Sequence, residues 1–152
     1  METKPGLAAR QTPIVPFADH VGVILLANNG GERAQIPDSV ELTNHIGSVH
    51  AGALFTLGEA ASGAAVVSAF GATLGGVVVV VRKADIRFRK IAHGPITATA
   101  TLSKPVDELD SLLHDQGRLD FDVAVELRND ADDLVAEMGV EWHLSKRHIQ
   151  AR

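Results

Sequence analysis

The chain contains no cysteine. That excludes disulfides, thiolate metal sites and cysteine nucleophiles. No long basic run offsets a net charge of −5, so nucleic acid is not an expected partner. The seven histidines, at 20, 45, 50, 93, 114, 143 and 148, show no zinc-type spacing. His45 and His50 are five apart and have no third ligand nearby, so no metal is expected. There is no Gly-x-Ser-x-Gly elbow to support a serine hydrolase. A glycine-rich phosphate loop is also missing; Gly71 to Gly76 reads as a turn into a strand. Met1 to Arg10 carries Glu2, Lys4 and Pro5 without the apolar core of a secretory signal. A cytoplasmic protein is expected.

Charge is scarce where the chain is most apolar. Between His50 and Arg82 the only charged side chain is Glu59. Ala60 to Val81 has none, which is long enough to span a bilayer. Phe70-Gly71-Ala72-Thr73-Leu74-Gly75-Gly76 breaks that run with turn residues, and its first half is mostly Ala, Gly and Ser. The reading is a buried helix followed by a strand, with no membrane partner. At 152 residues and 45% hydrophobic content, one domain with a proper core is expected. Residues 1–19, with Pro5, Pro13 and Pro16, read as an arm, and 20–148 as the single domain.

His20 to Ala27 reads as a short strand ended by Asn28-Asn29-Gly30-Gly31. Arg33 to Leu42 reads as its hairpin partner, with Pro37 marking an edge or bulge. A helix follows over about 50–70, with Ser48 placed to cap its start and Gly71 its end. Gly52, Thr56, Glu59 and Gly63 share one stripe of that helix, which points Glu59 at a groove. Val77 to Val81 reads as a strand buried on both faces. It passes into Ala84–Arg89 with strict alternation, and alternation marks further strands over Ile96–Leu102, Leu119–Arg128 and Leu134–Leu144. Lys104 to Gly117 reads as an acidic loop with at most a helical turn. The expected class is therefore α+β: an antiparallel sheet of about six strands wrapped round one long helix. One helix covers so broad a sheet poorly, so pairing with a second copy is expected.

Asn44, then Gly47-Ser48-Val49-His50-Ala51-Gly52, then Leu57-Gly58-Glu59 resembles the signature of the hotdog-fold acyl-CoA thioesterases. The nearest likeness is to the small single-hotdog group of phenylacetate-pathway type. The order of elements follows that fold from about His20 to Leu144. The resemblance implies a thioester hydrolase that splits an acyl-CoA into free acid and coenzyme A without a cofactor. It implies Glu59 as base or nucleophile. The Ala51 backbone N–H would bind the thioester oxygen, Asn44 would orient the carbonyl or water, and His50 would give support. It implies a site shared between two chains, hence a homodimer at minimum and a tetramer as the expected state. Two residues depart from the pattern. Ala51 replaces the first glycine of the usual pair, and Glu59 replaces the commoner Asp. Gly63 stands where some members place Thr or Ser, and Ser62 is the substitute. Gly52, Ser62 and Gly63 are read as substrate-binding.

Each candidate also has a plainer role. A buried Glu59 can be a structural carboxylate bonded to Asn44 or to a second chain. Asn44 can be a turn residue, and His50 can simply hold the loop. Arg82, Lys83, Arg87, Arg89 and Lys90 ordinarily form a solvated face, yet Arg87 and Arg89 are candidates for coenzyme A phosphates. Two alternatives carry over. His45, fourteen residues before Glu59, has the spacing of acyl-thioester dehydratases, without their surrounding motif. A non-catalytic acyl-CoA binder is the other.

Overall fold

A computed structural model describes residues 10–11, 15–26, 32–71 and 73–147. Its centre is helix α2, Ala51–Phe70. Proline is absent from this stretch and Ala and Leu recur, which favours a helix; Gly52, Gly58 and Gly63 oppose it, so packing must make up their cost. His50 is its N-cap, with extended backbone and a ring Nδ1 that accepts from the Gly52 N–H. Ser48, expected as the cap, lies two residues too early; its hydroxyl meets the Asn44 amide instead. The far end stops at Gly71, where Thr73 donates its N–H and hydroxyl to the Phe70 carbonyl.

Around α2 runs one antiparallel sheet of seven strands. They are β1 (Arg10–Gln11), β2 (Ile24–Leu26), β3 (Glu32–Ile36), β4 (Val77–Phe88), β5 (Ile96–Leu102), β6 (Arg118–Arg128) and β7 (Leu134–Lys146). Their spatial order is β1-β2-β3-β5-β6-β7-β4. β1 has only two residues, so six strands carry the sheet, as the alternation predicts. The inward residues of β5, β6 and β7, among them Ile96, Val123, Leu127, Val140 and Leu144, are buried against Leu54, Leu57, Ala61 and Ala65 of α2. Gly58 permits the close approach: a Cβ there would sit 2.6 Å from the Met138 sulfur. Leu57 is fully buried at this crossing. Leu57→Ala is expected to cost about 2–5 kcal/mol, read as a lower urea midpoint with unchanged m.

Four readings of the sequence need correction. Val77–Val81 is not buried on both faces: β4 is an edge strand that pairs only with β7, and Val78, Val80 and Val81 are exposed. A β-branched run reports strand propensity, not position in the sheet. Lys104–Gly117 is no loop but a three-turn helix, α3 (Val106–Gln116). Its signal is Leu109 and Leu113, one turn apart and buried, hidden among acids on the wet face. Pro16–Val21 forms a short helix, α1, so His20 lies in the last turn of a helix and the strand starts only at Ile24. β3 stops at Ile36, before Pro37, and Val40–Leu42 is a single 3-10 turn. The β2–β3 hairpin pairing itself is present, with Leu25 opposite Ala34. Its expected turn, most of the expected arm and His148 lie outside the described residues.

Candidate active site

The segment before α2 is a closed loop held by Asn44. Its Oδ1 accepts from the N–H groups of Ile46 and Ser48, each at 3.1 Å, and its Nδ2 donates to Ser48 Oγ at 2.8 Å. Gly47, at φ 76°, supplies the left-handed residue this turn requires. The Val49 N–H then donates to the Ala92 carbonyl, which ties the loop to the segment after β4. Asn44 thus builds the wall of the site, and its plainer role as a turn residue is fulfilled. His45 lies exposed on the same turn.

The loop delivers His50 to the start of α2, and the donors there can be accounted for one by one. The Ala53 and Leu54 N–H groups both bond the His50 carbonyl, at 3.0 and 3.1 Å. The Gly52 N–H is taken by His50 Nδ1 at 2.8 Å. Because Nδ1 accepts, the ring proton sits on Nε2. A Cβ at Gly52 would stand 3.0 Å from the same nitrogen and would crowd the ring. The Ala51 N–H has no acceptor among the described residues. It is therefore the one uncommitted donor of the first turn. Ala51 opens an α-helix, so its right-handed backbone carries a Cβ without strain.

Ala51 borders an open groove of about 370 Å³ that also touches Asn44, Leu54 and Arg89. Its rim is apolar: Ile46, Phe88 and Ile91 are all exposed. Arg89 is not free. It donates twice to Glu137 Oε2, at 2.7 and 2.5 Å. Arg87 lies outside the groove lining on exposed β4, with no carboxylate partner among the described residues.

Glu59 lies on α2 on the same helical stripe as Gly52 and Gly63. Its carboxylate is half-buried and has no hydrogen-bond or ion-pair partner among the described residues. The Asn44 amide, its nearest structural explanation, already bonds Ser48. Loss of solvent pushes the Glu59 carboxyl above the usual range. Eight residues separate Ala51 from Glu59, about 12 Å along a helix. One carbonyl cannot reach both groups of the same chain.

Ser62 is not on this surface. It is fully buried, donates to the Glu59 carbonyl at 2.7 Å and accepts from the Trp142 indole N–H at 3.1 Å. Gly63 faces the Trp142 ring, which would meet its Cβ at 3.5 Å. Trp142 was missed from sequence. It is the only tryptophan, on the inward register of β7, and it fixes the turn that carries Glu59.

These features define a hotdog fold: a long central helix in an antiparallel wrap, with a free amide at the helix start and a carboxylate two turns on. The chain belongs to the family described as domain of unknown function (DUF4442), whose model matches residues 14–144. None of the curated proteins matches it. Among solved structures, it is similar to PA5026 of Pseudomonas aeruginosa, described as a "probable thioesterase". Identity is 27% and the TM-score 0.77, over 88% of this chain and 89% of that one. It shares the fold of thioesterase HI1161 from Haemophilus influenzae, at 17% identity and TM-score 0.70, over 88% and 87% of the two chains. It also shares the fold of the E. coli PaaI protein from the phenylacetic acid degradation operon, at 21% identity and TM-score 0.63, over 83% and 86%.

Proposed function

We propose that this protein hydrolyses an acyl-CoA thioester to the free acid and coenzyme A, as a homodimer or a larger homo-oligomer. One observation carries this reading. The single free donor at the start of α2 opens on a groove, and a desolvated carboxylate with no partner among the described residues lies two turns further on. The Ala51 N–H, at the positive end of a twenty-residue helix, suits the oxygen that becomes negative as the thioester is attacked. Glu59 suits the other half of the step. As a base it takes a proton from water, whose oxygen bonds the carbonyl carbon; as a nucleophile it bonds that carbon itself and water completes the cycle. Collapse of the tetrahedral species breaks the carbon–sulfur bond, and the thiolate leaves and is protonated.

The 12 Å gap is bridged if the two groups come from different copies. The exposed edge of β4, with Val78, Val80 and Val81 beside an unpaired backbone, is the surface that favours such a pairing. The similarity to PA5026 supports the reaction class. The test is free-thiol release from a panel of short, medium, long and aromatic acyl-CoAs. Turnover of any member is expected, and the preferred chain names the acyl class. Tight binding of acyl-CoA with no thiol released from any member would instead make the protein a carrier or sensor.

A further inference from the structure

Two hollows adjoin at the end of β7, and Lys146 and Arg147 line both. The larger, about 900 Å³, is also lined by Arg118, His143, Ser145 and the Gln116–Gly117 end of α3. No carboxylate lines it. The other, about 560 Å³, has Val77, Leu113 and the bare backbone of Gly75 and Gly76, with Asp110 as its one acid. Arg118 and Arg147 have no side-chain partner among the described residues. Lys146 uses one of its three donors on the His114 carbonyl, at 3.3 Å. The nearby Asp120 is already matched by His143 at 2.6 Å and Arg82 at 3.1 Å. The backbone here is fixed: the Lys146 N–H bonds the Gly117 carbonyl and the Arg147 N–H bonds the Gly76 carbonyl, each at 2.9 Å.

Uncompensated cations on a rigid frame, in a chain of net charge −5, fit a polyanion. The adjoining apolar and glycine surface fits a flat heterocycle. We infer that Arg118, Lys146 and Arg147 bind the adenosine 3′,5′-bisphosphate end of coenzyme A. This rests on the hydrolase reading above. It also moves the phosphate contact away from the basic run that begins in β4, where Arg82, Arg89 and Lys90 are each held by a carboxylate although Arg87, among the described residues, is not. The hollows lie along the strand that also reaches the carboxylate: Trp142 touches Gly63, one turn from Glu59, and Lys146 lies four strand residues beyond Trp142, roughly 13 Å further along β7.

The test is calorimetric titration of adenosine 3′,5′-bisphosphate into the full-length wild type and into a double variant, Arg118→Glu with Arg147→Glu. Kinetics on one acyl group, carried by coenzyme A and by pantetheine alone, run in parallel. The double variant is expected to weaken bisphosphate binding and raise KM for acyl-CoA by about tenfold or more, with kcat and the pantetheine KM unmoved. The neutral pair Arg118→Gln with Arg147→Gln guards against misfolding and should change affinity in the same sense by less. Bisphosphate affinity that ignores both double variants overturns the inference. So does pyrophosphate binding as tightly as the nucleotide, which would mark a general anion patch. If bisphosphate binds and responds as expected while no thioester is hydrolysed, the hollow stands and the hydrolase reading falls.

Discussion

Glu59→Gln is expected to lower thiol release by about a hundredfold or more while the protein stays folded. The substitution keeps shape and removes only the charge. It breaks no bond, because the carboxylate has no partner among the described residues. Its effect on stability has a definite sign. Burial raises the Glu59 carboxyl above its ordinary range, so folding favours the protonated form. That contribution is complete below the ordinary carboxylate range and is lost as pH rises through the elevated one. At neutral pH the ionised group therefore costs stability, and glutamine does not. The Tm of Glu59→Gln should equal or exceed that of the wild type. The same shift moves the acid limb of kcat/KM upward from where a solvated glutamate would place it, as a rate profile would record. A glutamine variant that keeps wild-type turnover would remove Glu59 from the chemistry. One that unfolds would make it structural.

Ala51→Pro should be nearly as damaging to catalysis, for a separate reason. Proline lacks the N–H and is well tolerated at the first position of a helix. The residue before it must be extended, and His50, at φ −62° and ψ 139°, already is. The variant thus deletes one donor and leaves α2 in place. Loss of one oxyanion donor costs about 10²–10³ in kcat, with circular dichroism unchanged. The pair of variants also tests which chains build the site. Each alone is inactive. If Glu59 and Ala51 act across two copies, a mixed dimer of Glu59→Gln and Ala51→Pro chains keeps one intact site of two. Co-expression should then recover about a quarter of wild-type activity from random pairing. If both groups act within one chain, no mixture recovers any.

The centre of the molecule was readable from sequence because its signals are local. A run with one charge and no proline gave α2, Gly71 gave its end, and alternation gave β5, β6 and β7 nearly to the residue. The Asn44 to Glu59 motif marked the loop and the helix on which the candidate site is built. What was hidden depends on neighbours far along the chain. Whether Val77–Val81 is a central or an edge strand is decided by β7, some sixty residues later, and nothing in five valines records it. α3 was obscured because its apolar face is only three leucines wide. Ser62 looked available because one turn from Glu59 seems close; the lone tryptophan that claims it comes from another strand. The free Ala51 N–H could not be read either, since it depends on how the His50 ring folds back over Gly52.

The strand order has a consequence for how the chain is made. β4 leaves α2 directly, yet its only partner is the last strand, β7. Synthesis at roughly 5–20 residues per second leaves an interval of several seconds between the two. During that interval the nascent chain presents five consecutive valines and the apolar flank of α2 with nothing to cover them. Such a run is the kind that pairs with its like on neighbouring chains. The charged residues that follow at once, Arg82 and Lys83, are where sequences place gatekeepers. Their value to the cell would then be felt at the ribosome rather than in the finished protein. Replacing both with serine should lower soluble yield more than it lowers Tm.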